Sequence, residues 1–506
     1  MTEPATFLVE PADVFKLRNA VAKLAGVGYS ENLVRDRLGL EDLCDLQWRH
    51  VPIYRAERLA YRDPLALAVD LFLLQGDVPA DELDPLFVAS ERDVLIRTGL
   101  LEIDETGRAR ARASLFPVGD RLIFSDHAWP ELPHPGYAAV PYDQVMWVGL
   151  DSRHLARCTT RQPFRAALDL CTGSGIHALL ASAHTEQVVA VDINPRAAGC
   201  TRFNAQAWGA TNLEVVVGDL YEAVRDELFD LITANPPFVP SPLDTLRFRD
   251  GGRSGEDILK RIVAGLPQHL APGGIAQIVT ELGERNGEPL VHRLREWLRG
   301  APMDIHILRL GEHTAAKYAI GHAKGSGYQV FLDSVHEWAG NLRAQGYVRV
   351  VSVVISFQWS DATFGPPWER VDESPPPRRA AGPEIEAAFR AERLVRQVDL
   401  QQLLKQSCVC RAGTIALLDA QMLGSDIHAK PKATLLGQAL TMEHQLDPVE
   451  REILYRTDGR IPVPELIRIL GDLHVDETTV IGATRSLLRR RLIRMDGQLG
   501  GQSAAR

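Results

Sequence analysis

Phe229-Asp230-Leu231-Ile232-Thr233-Ala234-Asn235-Pro236-Pro237-Phe238 is the stretch on which the reading of this chain turns. Its first six residues form an apolar, β-branched run of strand length. The two prolines end that run abruptly, because proline fixes φ and has no N–H for a ladder. The strand therefore passes straight into a rigid loop. There the Asn235 amide oxygen and the Pro236 carbonyl remain as convergent acceptors beside a flat aromatic, Phe238, a set that suits a planar NH2 group. A proline turn that merely closes a buried strand is the plainer alternative, and the other strand ends decide between them.

Working outward, β-branched runs at 166–171, 188–193, 213–219, 274–282, 304–310 and 348–357 alternate with helical patterns around 229–234. Seven strands interleaved with helices predict a parallel, doubly wound, Rossmann-like α/β sheet, and the last pair allows an antiparallel edge strand. The first strand leads into Asp169-Leu170-Cys171-Thr172-Gly173-Ser174-Gly175, where glycine lets backbone amides approach a ligand. Alone such a turn is a weak signal, since many are only tight strand-to-helix connections. The second strand ends at Asp192-Ile193-Asn194, placed so that the Asp192 carboxylate can accept both hydroxyls of a ribose. Helix capping is the other use for an acid there, but Asn194, directly before Pro195, fits a cap better. The third strand ends at Gly218-Asp219-Leu220, where an acid can accept from an adenine amino group or, equally well, cap a helix.

Taken together, these motifs resemble those of class I S-adenosylmethionine-dependent methyltransferases of the branch with an NPP(Y/F) loop. The nearest likenesses are the HemK-like protein-glutamine methyltransferases and the methyltransferase small domain enzymes, which modify guanine amines in ribosomal RNA. The resemblance covers roughly 135–357. It implies a seven-stranded methyltransferase domain with S-adenosylmethionine as cofactor. It also implies cofactor contacts from Asp151, Asp169, Thr172, Gly173, Gly175, Asp192, Ile193, Asp219, Leu220 and Asn235, and an acceptor site made by Asn235, Pro236 and Phe238. Gly149 to Ser152 is similar to the segment that covers the cofactor, and the glycines of 251–255 to those following the loop in HemK-like enzymes. Two positions depart from the pattern. Cys171 stands where glycine is usual, and Phe238 where tyrosine is usual for adenine and glutamine acceptors.

The length of 506 residues implies several domains, and 45% hydrophobic with 24% charged residues is ordinary for globular protein. Composition breaks divide the chain into an N-terminal helical, winged-helix-like domain at 1–125 and the methyltransferase domain at 126–365. A proline-rich linker at 366–384 and a second winged-helix-like domain at 385–506 follow. Prolines 130, 133, 135 and 141 mark the first passage. Helices then a hairpin at 63–116, and again at 448–495, carry the winged-helix expectation. With net charge -10 the whole chain is not drawn to nucleic acid. Only the block after Pro383 leans basic. Its run Arg485 to Arg494 reads either as a recognition helix facing phosphate or as a solvated face.

The six cysteines lack paired spacing and the histidines lack ligand spacing, so reduced thiols and no metal are expected. His177 and its fellows read as surface or capping residues. No leader or membrane-length apolar run is apparent, which points to the cytoplasm. The resulting expectation is an N-methyltransferase acting on an amide or exocyclic amine of a macromolecule, protein or RNA, in translation. A small-molecule N-methyltransferase and a non-catalytic binding protein of the same fold are the alternatives.

Overall fold

The computed structural model describes residues 7–127, 142–243, 246–325, 327–418 and 431–495. The chain forms two compact units. One comprises Met1–Ala156, Arg161–Ala301 and Glu312–Gln358; the other comprises Arg157–Thr160, Pro302–Gly311 and Trp359–Arg506. The prolines at 130, 133, 135 and 141 lie outside the described residues.

In the first unit the strands stand in the order Leu213–Val217, Thr185–Asp192, Phe164–Leu170, Phe229–Ala234, Leu270–Arg285 and Tyr347–Trp359. All neighbours are parallel except the last pair, in which Tyr347–Trp359 runs antiparallel. This is the α/β sheet that the alternating pattern predicts, and its antiparallel strand comes from the last predicted pair, though it is not the expected edge strand. The order of crossovers reverses between Phe164–Leu170 and Phe229–Ala234. Such a switch point opens a crevice at the carboxyl ends of strands, and the glycine turn and Asn235 both lie there. Helix Pro195–Trp208 shows how locally the sequence writes its elements. Proline opens it, the Asn194 side chain accepts from the Arg196 N–H at 3.0 Å, and Gly209 closes it at φ 73°.

The N-terminal part carries helices Val14–Gly26, Glu31–Leu38, Pro64–Ala68 and Ala89–Arg97. Strands Leu101–Ile103 and Arg108–Ala111 pair across a turn in which Asp104 accepts from the Thr106 and Arg108 N–H groups. The strand that ends the hairpin expected within 63–116 is divided. Its second half, Ser114–Val118, makes its own hairpin with Arg121–Ser125. That hairpin explains why 125 does not separate two cores. Phe124 packs edge-on to Phe203 with centroids 5.4 Å apart, and the buried Asn204 side chain both accepts from and donates to the Phe124 backbone. One apolar cluster accordingly runs from Phe7 to Phe203.

The second unit pairs residues of strand Met303–Thr314 in parallel with Glu369–Glu373, inside the segment expected to be a linker. Trp368 and Arg370 of that segment are buried, and helix Gly382–Val395 begins before the segment ends. Helices Pro448–Arg456, Val463–Gly471 and Glu477–Arg489 follow in the anticipated order. The final strand, Ile493–Met495, pairs with Cys408–Arg411 rather than forming a local hairpin. A further sheet of Ile415–Leu418, Lys432–Leu435 and Glu443–Gln445 is not foreseen from the sequence.

The arginine run is also different from a free cationic face. Arg489 donates to Glu392 at 2.5 Å, Arg490 to Glu450 at 3.1 Å, and Arg491 to the Glu384 carbonyl at 2.8 Å. Three consecutive arginines thus tie this unit together. Among the described residues no helix is long and apolar enough to cross a membrane.

Candidate active site

At the switch point lies a cavity of about 350 Å³, within the size range of small-molecule sites. Thr172, Gly173, Asp192, Ile193, Asp219, Leu220 and Asn235 line it, so seven of the anticipated residues meet around one space. They come from four strand ends that are far apart in sequence.

The glycine turn is shaped from beneath by Asp169. Its carboxylate is 1% exposed and accepts from Thr172 Oγ1 at 2.6 Å, Thr233 Oγ1 at 2.8 Å and the Ala178 N–H at 3.2 Å. Burial pushes this carboxyl up to about 6, against the pull of those hydrogen bonds. Asp169 holds the turn in shape and does not itself line the cavity. Gly175, at φ 82°, also lies behind the wall, where a Cβ would meet Thr201 Cγ2 at 2.7 Å. Cys171 takes φ 56°, the left-handed region that glycine favours, so its departure from the family pattern carries backbone strain. Burial keeps its sulfur a thiol, well above the usual range, with nearby carboxylates adding to the effect.

Asp192 accepts from the Gly173 N–H through Oδ2 at 2.9 Å and from the Asn194 N–H through Oδ1 at 2.8 Å. Each oxygen keeps a further lone pair for a ligand hydroxyl. Burial raises its pKa while the two N–H groups act against that rise. Asp219 pairs with Arg261 at 2.9 Å, and both line the cavity.

Asn235 is fixed by partners distant in sequence. Its Nδ2 donates to Asp151 Oδ2 at 2.9 Å and to Ser152 Oγ at 3.2 Å, while its Oδ1 is buried and has no hydrogen-bond partner. Asp151 is therefore behind Asn235 and is not itself part of the cavity wall; burial is the main influence on it and raises its pKa. Pro236 is buried and also off the wall. Phe238, anticipated beside Asn235, does not line this cavity. It packs on a separate cluster containing Val239, Tyr318, Trp338 and Tyr347. The loop after it needs its glycines, because a Cβ on Gly251 would stand 2.7 Å from the Pro237 carbonyl oxygen.

Several lining residues are missed by sequence reasoning. Trp147 meets Phe248 edge-on at 5.7 Å, and Arg247 lies 4.7 Å from the Tyr142 ring centre. Nothing in spacing brings 142–147 to 247–248. His177, read as a surface or capping residue, is buried in the wall. Its Nε2 lacks a partner, and burial lowers its pKa to about 3, so it stays neutral.

These features fit a nucleoside-bearing methyl donor. A carboxylate with spare lone pairs lines the cavity, a glycine turn exposes backbone, and a buried amide oxygen at the end of the motif series has no hydrogen-bond partner. Comparison with known proteins agrees. Residues 148–296 match the methyltransferase small domain family, and residues 27–113 match a domain of unknown function. The ribosomal protein uL3 glutamine methyltransferase of Bordetella pertussis is 31% identical over 242 residues, 43% of this chain and 74% of that protein. The release factor glutamine methyltransferase of Geobacter sulfurreducens is 34% identical over 24% of this chain and 48% of its own length. A uL3 glutamine methyltransferase of Bradyrhizobium diazoefficiens is 38% identical over 23% of this chain and 40% of its own. The chain thus spans about half or less of the latter two relatives. Among solved structures, a ribosomal protein L11 methylase from Lactobacillus delbrueckii overlaps with TM-score 0.25 and 17% identity, over 42% of this chain and 77% of that one. With its switch-point cavity, its ordered strand-end motifs and three quarters of a glutamine methyltransferase matched, this chain belongs to the HemK-like class I methyltransferases, enzymes that use S-adenosylmethionine.

Proposed function

We propose that the enzyme methylates the side-chain amide nitrogen of a glutamine in a protein of the translation apparatus, and that it does so in the cytoplasm. The observation that carries this reading is the buried, partnerless Oδ1 of Asn235, whose Nδ2 is already committed to Asp151 and Ser152. An amide so held cannot turn over, so it offers an acceptor and not a donor to whatever enters. A primary amide brings two N–H groups, and Asn235 Oδ1 with the Pro236 carbonyl would receive them.

The bound donor supplies an electrophilic methyl group on sulfur. An amide nitrogen is a poor nucleophile because its lone pair is delocalised. Hydrogen bonds from its protons to fixed acceptors oppose that delocalisation and stabilise the positive charge that develops. Asp151 acts indirectly, by orienting Asn235. Asp192 would take the ribose hydroxyls, with Thr172, Gly173, Ile193, Asp219 and Leu220 around the rest of the donor. Phe238 would form part of the acceptor side, outside the cavity that Asn235 lines. The names of the relatives, glutamine methyltransferases of uL3 and of release factors, favour a protein acceptor over RNA. The internal pairing of Arg489, Arg490 and Arg491 points the same way.

The experiment is to incubate the enzyme with methyl-labelled donor and either purified uL3 or purified release factor, then map the label by mass spectrometry. Label on a glutamine side chain is the expected result. Absence of label from both proteins, or label on a residue other than glutamine, refutes the proposal.

A further inference from the structure

The catalytic loop is abreast of a carboxylate that no role above uses. Strand Leu270–Arg285 pairs Ile278 with Ala234, the residue before Asn235. Glu281 lies three residues, or roughly 10 Å, beyond that pair, in the direction in which the parallel strand runs out into the loop Asn235 to Phe238. It shares a strand face with Val279, the residue that follows the last pair of that ladder. Within a run that reads Ile278-Val279-Thr280-Glu281-Leu282, it is the one charged side chain.

Its surroundings are built to hold it. Tyr318 Oη, on helix Ala315–His322, donates to Glu281 Oε2 at 2.6 Å, and Ser352 Oγ on the neighbouring strand donates to Oε1 at 3.2 Å. Tyr318 belongs to the apolar cluster on which Phe238 packs. Glu281 itself is partly exposed. A single carboxylate thus connects the strand beside Asn235 with the aromatic cluster beneath Phe238, and keeps contact with water.

We propose that the Glu281 carboxylate accepts a hydrogen bond from the acceptor nitrogen and takes the proton which that nitrogen loses on methylation; this rests on the amide-acceptor reading given above. The balance is simple. The nitrogen gains a bond to the methyl carbon as the carbon–sulfur bond breaks, with its electron pair remaining on sulfur. The positive charge passes to nitrogen. One N–H proton then moves to Glu281, leaving a neutral N-methyl amide, a neutral thioether and a neutral carboxylic acid, from which solvent removes the proton. The loop residues cannot do this. Asn235 and Pro236 offer carbonyl oxygens of negligible basicity, and protonating Asp151 would weaken its acceptance of Asn235 Nδ2.

The electrostatic setting agrees. Burial raises Glu281 above the ordinary carboxylate range, the Tyr318 and Ser352 hydroxyls lower it, and the charge of Asp151 raises it again. Tyr318 faces it from the helix and Asp151 from the helix Leu150–Cys158. Arg249 and Asp250 act in turn on Tyr318, whose burial keeps it a phenol and hence a donor.

The test compares wild type with Glu281→Gln and Tyr318→Phe on whichever acceptor the wild type labels in a cell extract with methyl-labelled donor. Glu281→Gln should lower kcat by about 100-fold or more, change the acceptor KM by less than about threefold, and abolish the acidic limb of the pH–rate profile. Donor affinity by calorimetry should be unaltered. In Tyr318→Phe the carboxylate loses a stabilising hydrogen bond, so the acidic limb should move to higher pH. Near-normal kcat in Glu281→Gln, or a Tyr318→Phe profile that superimposes on wild type, overturns the proposal. Should the wild type label something other than a glutamine, the functional reading falls while the kcat comparison still judges Glu281. A carbon-13 carboxyl resonance, assigned by its loss in Glu281→Gln, gives a readout without any acceptor: a titration left unmoved by Tyr318→Phe also overturns the idea.

Discussion

Replacing Asp192 is the sharpest probe of the donor site, because the carboxylate has two duties that can be separated. It holds Gly173 and Asn194 by their N–H groups at 2.9 and 2.8 Å, and it presents its remaining lone pairs to the cavity. Hydrogen bonds to a charged acceptor contribute about 1.5–3 kcal/mol each. Losing two ribose contacts, discounted for non-additivity and for water that takes their place, leaves about 2–4 kcal/mol. At 1.4 kcal/mol per factor of ten, Asp192→Ala should weaken S-adenosylmethionine binding by roughly 30- to 700-fold. Asp192→Asn retains one acceptor oxygen and should lie between it and wild type. Calorimetry with S-adenosylmethionine and with an analogue lacking the ribose 2′-hydroxyl isolates the ligand duty from the loop duty. Wild type should discriminate between the two ligands by about tenfold or more, and Asp192→Ala should bind them equally. Persistent discrimination in the alanine variant would refute a ribose role and leave Asp192 as a brace for the glycine turn. Since burial raises the Asp192 pKa, donor affinity should fall as mildly acidic pH neutralises it, at higher pH than for an ordinary aspartate.

Three further outcomes are expected. At Cys171, whose φ is 56°, glycine should give a protein about 1 kcal/mol more stable than alanine in urea unfolding, the reverse of the order usual in regular structure. Asp169, 1% exposed and raised from 3.8 to about 6, holds its proton more tightly when folded; the stability this confers is complete below pH 3.8 and lost as pH rises through about 6. The stability of wild type relative to Asp169→Asn should therefore fall by about 2 kcal/mol between pH 3.8 and 6.0, and a flat difference would contradict the burial argument. Arg489→Ala strips a partner from the fully buried Glu392 and should lower the melting temperature of the second unit, while calorimetry finds donor affinity unchanged because every residue lining the donor cavity is in the first.

Why some of this could be read from the chain, and some not, follows from range. That Asp192, Asp219 and Asn235 meet at one cavity was legible because strand, turn and helix are written in contiguous residues, and parallel sheets place strand ends side by side. The brace between Asn235 and Asp151 joins residues 84 apart, and nothing in either neighbourhood announces it. That Phe238 packs on the Tyr318 and Trp338 cluster and not on the donor cavity could not be read, because alternation along a loop broken by two prolines does not set side-chain direction. The arginine run looked solvent-facing because Glu392, Glu450 and the Glu384 carbonyl, which claim it, lie in other elements. Prolines suggested a linker at 366–384, yet Trp368 and Arg370 alternate with exposed neighbours in the period of a strand, the signal that composition alone overrides.

The pairing of Ile305–Arg309 with Glu369–Glu373 has a bearing on how the protein is made. The second unit draws on 157–160, on 302–311 and on everything from 359 to Met495, so its parts leave the ribosome at widely separated times. At roughly 5–20 residues per second, residues 302–311 would wait several seconds for their partner strand. During that interval the strand is an open edge, with N–H and C=O groups free to capture another chain. Slowing or pausing translation within 311–369 should therefore raise aggregation of nascent chains, whereas synonymous changes ahead of residue 150 should not.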